Sequence, residues 1–223
     1  MLLARYYDWL VDWDQRLARE LPFLVERLPG RRVLVAACGT GGHLPALAAR
    51  GFAVTGIDAD PEMVAAARAR GAGRVEQLPL EQCSELGQTL LGQTFDAVLC
   101  LGNVLPNLSA PNQLETALAE MYRVLAPGGL FFTQNLNYDR RWREKQRFFP
   151  LLSGRRGDEE VLLFKFADYG GSHIDFHTAF LVRRGAQARW ESTVETTRQR
   201  PVFRKDLENA CRLTGFGKLE AWG

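Results

Sequence analysis

Apolar residues recur every three or four positions through the first 28 residues, at Leu10, Trp13, Leu17, Leu21, Leu24 and Leu28. That spacing predicts one or two helices, with Pro22 marking a break. The pattern then changes. Arg32 to Ala37 is nearly all apolar and runs into Cys38-Gly39-Thr40-Gly41-Gly42, as expected of a parallel strand buried on both faces and closed by a tight turn. A helix to about Arg50 follows and Gly51 stops it. Ala53 to Ile57 is the next strand, with Asp58 at its end, and Asp60-Pro61-Glu62 reads as the cap, first-turn proline and first-turn acid of another helix. A weaker strand near Val75, an ambiguous stretch from Gln82 to Leu91 and a clear strand from Phe95 to Leu101 continue the alternation. Leu114, Ala117, Leu118, Met121, Tyr122 and Leu125 share one face of a helix that begins near Pro111 and ends at Pro127-Gly128-Gly129. Leu130 to Leu136 is the fifth predicted strand.

Alternating strands and helices imply an α/β fold: a mostly parallel twisted sheet with right-handed crossovers and helices on both faces. Ligands gather at the carboxyl ends of such strands. After Asn137 the period shortens. Val161 to Asp168, His173 to Arg183 and Ala188 to Val202, punctuated by Gly170-Gly171 and Gly185, predict an inserted antiparallel β lid after the fifth strand. Lys205 to Leu213 is a last helix, Gly215-Phe216-Gly217 a turn, and Lys218 to Trp222 a final strand.

Composition narrows the function classes. The 223 residues are 46% hydrophobic and 24% charged, an ordinary globular profile. A net charge of +2 is too mild to announce a nucleic-acid or anionic-membrane partner. No apolar run approaches the roughly 18 to 20 residues that span a bilayer, and Asp8, Asp12 and Asp14 interrupt any signal-peptide layout. The expected location is cytoplasmic. Cys38, Cys83, Cys100 and Cys211 are irregularly spaced and read as reduced core thiols.

The glycine turn after the first strand lets a ligand come close to the backbone. Asp58, 19 residues beyond Gly39, sits where a carboxylate accepts hydrogen bonds from both ribose hydroxyls. Together they specify an adenosine-type cofactor. A dinucleotide fingerprint needs a third glycine where this chain has Leu44, and no Gly-Lys-Ser/Thr pattern follows the turn.

Four segments in this order resemble the class I S-adenosylmethionine-dependent methyltransferases: Val33 to Gly41, Val54 to Asp58, Phe95 to Asn103, and Val124 to Gly129. The Ala37-Cys38-Gly39-Thr40-Gly41 turn, Cys100-Leu101-Gly102-Asn103, and Asn137-Tyr138-Asp139 narrow the likeness to the branch of the glycine and sarcosine N-methyltransferases. The resemblance implies a Rossmann-like fold binding S-adenosylmethionine, with S-adenosylhomocysteine as product and a small-molecule methyl acceptor, in a monomer or homodimer. It implies a helical cap over residues 1–30, a cofactor-binding domain over 31–137 and 203–223, and a substrate lid over 138–202. Ala37, Gly39 and Gly41 would lie along the cofactor, Asp58 and Ala59 at its ribose, and Met63, Gln77 and Leu78 at its adenine. Leu101 and Gly102 would receive the amino group, Arg16 the carboxylate, and Asn107 stands where a histidine is usual. Asn103 and Tyr138 would border the acceptor as the catalytic pair.

Three departures matter. The acid often found in the first strand is Val35, the arginine that grips glycine is replaced by Leu136, and the chain stops at Gly223, short of a usual last strand. A catalytically silent cofactor-binding protein is therefore the alternative, followed by an RNA or DNA methyltransferase. Methyl transfer from a sulfonium is an in-line displacement, so positioning dominates and a strong base is optional. Asp139 is a candidate proton acceptor, set against a role as helix cap or ion-pair partner.

Other signals admit simpler readings. His173, Asp175 and His177 share one strand face and could gather a metal, while Ile174, Phe176, Thr178 and Phe180 on the other face make an ordinary half-buried strand. Arg140, Arg141, Arg143, Lys145 and Arg147, interleaved with Trp142, Phe148 and Phe149, read as a mobile basic loop rather than a nucleic-acid stripe. Trp9 and Trp13 are expected in the core, and Tyr6 and Tyr7 either there or over the pocket.

Overall fold

The computed structural model describes residues 2–86 and 94–223. The predicted apolar runs pair as β1 (Arg32–Ala36), β2 (Ala53–Asp58), β3 (Arg74–Gln77), β4 (Phe95–Cys100) and β5 (Leu125–Thr133), in the order β3-β2-β1-β4-β5. All four pairings are parallel. Strand order reverses between β1 and β4, which opens a crevice at their carboxyl ends.

Period-two alternation divides β1 between two cores. Leu34 and Ala36 join Leu114, Leu118 and Met121 of α5 (Gln113–Arg123) and the 3-10 segment Leu80–Glu85. Val33 and Val35 join Leu21 and Leu24 of α2 (Trp13–Arg27), Leu44 and Leu47 of α3 (His43–Ala48), and Val64 and Ala67 of α4 (Pro61–Ala69). Leu34, Leu44, Leu47 and Leu99 are fully enclosed, and burying each such side chain stabilises the fold by about 1.5–3 kcal/mol. All four cysteines are free and buried, as their spacing suggested.

The lid is a separate antiparallel sheet, β6 (Leu152–Arg156), β7 (Glu159–Tyr169), β8 (Ile174–Arg184) and β9 (Glu191–Gln199), paired in sequence order. Val161, Leu163, Phe180 and Val182 on its inner face pack on Tyr6 and Trp9 of α1 (Leu2–Leu10). The first helix thus belongs to the lid's core, whereas α2 belongs to the parallel sheet. Ala167 and Ile174, farther along the same face, enclose Tyr138 of α6 (Tyr138–Glu144).

Several local expectations differ from what forms. Pro22 does not break α2: it removes one amide donor, but the burial of Leu21 and Leu24 and an Asp12 cap, whose side chain accepts from Gln15 N, hold the helix together. Proline and glycine at 127–129 do not end α5 either. That helix stops at Arg123, Leu125 already pairs with Phe95, and the register then jumps to Ala97–Leu130, so the motif bulges out of β5. β5 ends at Thr133, before the expected Leu136. Lys218 to Trp222 is not a strand; rings rather than a ladder anchor it, with Trp222 stacked on Phe132 and edge-on to Phe23. The basic segment after Asn137 begins as α6, capped by the Asn137 side chain on Arg140 N. Of the ambiguous stretch, residues 82–85 lie in the 3-10 segment, and 87–91 fall outside the described residues. The last helix is α7 (Arg204–Thr214), closed by Gly215 at φ +115°.

Candidate active site at the carboxyl ends of the strands

The turn after β1 holds Ala37, Gly39 and Gly41 at positive φ, a conformation that an alanine adopts only under constraint. The two glycines serve different ends. A Cβ on Gly39 would meet nothing within 4 Å, so open space fronts the turn, while one on Gly41 would lie 2.8 Å from the Ala67 Cβ of α4. Gly39 N donates to Asp58 Oδ2 at 2.8 Å and Asp60 N to Oδ1 at 3.0 Å. Each carboxylate oxygen keeps a further lone pair for a donor such as a diol. Burial raises the Asp58 pKa against those two amide donors. Ala59, Met63, Gln77 and Leu78 are tied to the main chain and the helix cap that follow Asp58. Asp60 caps α4 at Glu62 N and Met63 N, Gln77 Nε2 donates to Ala59 O at 3.3 Å, and Leu78 N donates to Asp58 O at 2.9 Å.

Helices from the start of the chain brace the same turn. Asp8 Oδ1 accepts from Thr40 Oγ1 at 2.6 Å and from Trp13 Nε1 at 2.8 Å, and Arg70 pairs with Asp8 at 2.7 Å. Gly42 is needed there, because a Cβ would sit 2.4 Å from the Trp13 ring. Trp13 is thus a packing residue; Tyr6 lies in the lid core, and Tyr7 instead accepts from Arg16 Nη1 at 3.1 Å.

Arg16 is the link to the second turn. Leu101 is buried after β4, and Gly102 and Asn103 follow at φ +84° and +64°. A Cβ on Gly102 would lie 3.3 Å from Arg16 Nη2. Glu20 fixes the guanidinium through Nε at 3.1 Å, bonds His43 Nε2 at 2.7 Å, and accepts from Gln134 Nε2 at 3.1 Å. Gln134 Oε1 in turn accepts from Gly102 N at 3.2 Å. Burial pushes the Glu20 carboxyl up, but His43, Arg16 and Gln134 overcome it and hold its pKa at about 2.

A third group closes the site. Asn103 Nδ2 donates to Tyr138 Oη at 3.0 Å, Tyr138 donates to Gln199 Oε1 at 2.7 Å, and Gln199 Nε2 donates to Asn107 Oδ1 at 2.9 Å. Burial pushes the Tyr138 phenol up to about 12, which keeps it neutral. Asp139 accepts from Arg204 N at 3.0 Å and so caps α7 rather than facing the turns.

The predicted residues therefore gather in three clusters at one end of the sheet: Asp58 with its neighbours, Arg16 with Gly102, and Asn103 with Tyr138 and Asn107. Glu20, His43, Gln134 and Gln199 were not anticipated. Only Glu20 carried a signal, its i,i+4 spacing from Arg16 on an amphipathic helix. The His173, Asp175, His177 row has structural partners: Arg198 Nε and Nη2 hold both Asp175 oxygens at 2.8 and 2.9 Å, and His177 stacks on Phe166. An open depression of about 330 Å³ lined by Arg32, Phe52, Thr55 and Thr94 lies at the opposite, amino end of the strands, away from these turns.

Residues 33–129 match the family described as methyltransferase domain. The glycine/sarcosine N-methyltransferase of Parasynechococcus marenigrum (strain WH8102) is 34% identical over 178 residues, covering 76% of this chain and 59% of that protein. Its counterpart in Halorhodospira halochloris is 36% identical over 138 residues, covering 60% and 51%. The chain thus spans little more than half the length of these curated relatives. An amino pentose methyltransferase from Micromonospora echinaspora, involved in calicheamicin biosynthesis and solved with S-adenosylmethionine bound, superposes with a TM-score of 0.73 at 26% identity, covering 95% of this chain and 86% of that one. Among the described residues no helix is long and apolar enough to cross a membrane.

Proposed function

The chain belongs to the class I S-adenosylmethionine-dependent methyltransferases, and from that premise we propose that it methylates nitrogen on a small-molecule amine. One observation carries the reading: the Asp58 carboxylate, the open face of Gly39 and the Arg16 guanidinium over Gly102 converge at the switch point of a parallel sheet. Those groups suit, in turn, a ribose diol, a close-lying chain and an amino-acid carboxylate, the parts of S-adenosylmethionine. The bound cofactor supplies an electrophilic methyl on a sulfonium.

The rest of the chemistry is assigned to this chain's side chains. Asn103 and Tyr138 orient the acceptor, and the phenol acts as a neutral hydrogen-bonding group because both its donor and acceptor functions are engaged and its pKa stands near 12. Asp139 is committed to α7, so it is not assigned the acceptor's proton. Shielding beneath the lid lowers the ammonium fraction of an amine acceptor, which frees its lone pair. Relatives named for glycine and sarcosine support nitrogen as the accepting atom, and the half-exposed Leu136 argues against glycine itself as the acceptor. Four buried thiols suit a reducing cytoplasm.

Titration calorimetry with S-adenosylmethionine and S-adenosylhomocysteine, followed by methyl release over a panel of small amines, tests this. Binding with turnover of an amine is expected. Binding without turnover of any amine replaces the enzyme with a silent cofactor-binding protein, and no binding removes the reading altogether.

A further inference from the structure

An aliphatic amine is an ammonium ion at neutral pH, with no lone pair to offer a methyl group. Its proton has no taker among the groups at the strand ends. Asp58 is held by two amides, and Glu20 by His43, Arg16 and Gln134. Asp139 caps α7, and the Tyr138 phenol is engaged both as donor and as acceptor. The register of the lid supplies another group. At one end of its inner face Ala167 and Ile174 pack on Tyr138, and at the other Val161, Leu163 and Phe180 pack on α1. Between these two apolar clusters runs a polar row, with Lys165 of β7, Thr178 of β8 and Glu195 of β9 in register. The row overlooks the space between α1, whose Asp8 bonds Thr40 in the turn after β1, and α6, whose Tyr138 bonds Asn103 in the turn after β4.

Lys165 falls between Leu163 and Ala167, both inward and buried, so its side chain shares their face. Ala167, which packs on Tyr138, is two residues away, roughly 7 Å along the strand. A flexible four-carbon stem spans such a distance. Lys165 is half-buried, and among the described residues it has no ion pair. Burial alone draws its pKa below the usual lysine value. The charged groups on the elements around it are committed elsewhere. Glu195, two strands away in the same row, accepts from Leu2 N at 2.8 Å. Glu159, at the end of the inward row of β7, is held by Arg5, Tyr6 and Arg184. On the segment beside β7, Arg147 pairs with Asp168, and from α1 Asp8 pairs with Arg70. Arg141 of α6 lies over the Phe149 ring and supplies no counter-charge; its Nε and Nη1 are sealed from solvent without a partner among the described residues. With no carboxylate to hold the ammonium form, burial favours the free amine.

We propose that Lys165 is the general base of the methyl transfer, taking one proton from the ammonium group of the methyl acceptor onto Nζ. This inference rests on the methyltransferase reading and adds to it the residue that makes the acceptor nucleophilic. The acceptor R–NH3+ gives the proton to the Lys165 amine and becomes R–NH2. Its freed electron pair forms the N–C bond as the S–C bond to the methyl group breaks, and the pair of that bond stays on sulfur. The products are R–NH2CH3+, a neutral thioether and a Lys165 ammonium, which returns its proton to water. Charge is conserved at each step, and no further reactant is needed.

The first arm of the test needs no methyl acceptor. The chain has four lysines, Lys145, Lys165, Lys205 and Lys218, so protein carrying 13C at lysine Cε can be titrated by NMR, with and without S-adenosylhomocysteine, and Lys165→Met assigns one resonance. Lys165 is expected to titrate below the other three; titration together with them overturns the proposal. The second arm compares methyl release to propylamine, which arrives as an ammonium ion at neutral pH, with release to 2,2,2-trifluoroethylamine, a weak base of similar size that arrives as the free amine. Lys165→Met should lower kcat for propylamine about 100- to 10,000-fold while KM changes little, and should spare trifluoroethylamine. Lys165→Arg should do the same, because its guanidinium keeps the charge but stays protonated. An equal fall for both amines makes the role structural, and a Lys165→Arg variant as active as wild type on propylamine makes it a fixed charge; either result overturns the assignment. Absence of S-adenosylhomocysteine binding to the wild type defeats the methyltransferase reading itself, an outcome separate from the lysine titration.

Discussion

The strand ends of the parallel sheet and the inner face of the lid solve the problem of buried polar groups in opposite ways. At the strand ends, partners come from within the chain: Asp58 from two backbone amides, Glu20 from His43, Arg16 and Gln134, and Tyr138 from Asn103 and Gln199. Beneath the lid, Arg141 Nε and Nη1 find none among the described residues. A site already satisfied before its ligand arrives is preorganised, which suits a cofactor common to a whole family. A donor left unmatched beneath the lid makes that face the less self-sufficient of the two.

If the parallel sheet is the rigid half, the largest loss should come from hollowing it. Leu34→Ala, in the strand enclosed on both faces, is expected to lower unfolding stability by about 2–5 kcal/mol in chemical denaturation. Val194→Ala on the exposed lid strand β9 should stay within about 0.5 kcal/mol. Comparable losses at the two positions would erase the distinction.

Next is the Glu20 network. Glu20 is ordinarily a carboxyl of pKa 4.5 and stands at about 2 in the fold, so its contribution is fully present above about pH 4.5 and is lost as pH falls through about 2. The shift corresponds to about 3 kcal/mol. Acid titration of stability should show this loss in wild type and not in Glu20→Gln. A parallel acid limb in both proteins would mean that His43 and Arg16 do not hold the carboxylate.

A smaller effect is expected at Asp58, proposed above to hold the ribose. Asp58→Asn keeps one acceptor oxygen, turns a donor onto the other backbone amide and gives up the charge, so affinity for S-adenosylhomocysteine should fall about 10- to 100-fold by calorimetry, with a stability loss of about 1–3 kcal/mol from the one turn hydrogen bond broken. Unaltered affinity would detach Asp58 from the cofactor.

The contrast between the two regions also explains what the sequence made legible. Apolar runs such as Val33 to Ala36 announce a strand buried on both sides, and a glycine turn with an acid 19 residues on is a local pattern; both survive without knowledge of the fold. Pro22 and Pro127-Gly128-Gly129 misled because burial of neighbouring leucines outweighs one missing hydrogen bond, and because a bulge uses the same residues as a helix stop. The Tyr138–Gln199 bond joins positions 61 residues apart, and no spacing rule reaches that far. Arg141 stood in view as one of five cations in a basic run, yet its burial depends on Phe149 and Phe176 arriving from different elements.

The smallest effect is expected on the lid's outer face, where the charges are matched. Arg183 Nη2 lies 2.6 Å from Glu160 Oε2, with both side chains roughly 30% exposed at 30% and 28%, and the guanidinium also covers Trp190 at 4.6 Å. Such a pair sits in high dielectric and gives up side-chain entropy to hold its geometry, so Glu160→Gln should cost under about 1 kcal/mol. The difference should shrink further in 1 M salt, where screening acts within about 3 Å. Affinity for S-adenosylhomocysteine should not change, since Glu160 lies on β7 with its partner on β8 and touches none of the three strand-end clusters. An Arg141→Met variant measured beside it offers the sharper comparison. Removing a charge from a matched pair outside should weaken the fold slightly, while removing an unmatched one inside should leave it as stable or more so. If the two substitutions moved stability in the same direction, the cation under the lid would have a partner within the chain, and the lid would be as self-sufficient as the sheet it covers.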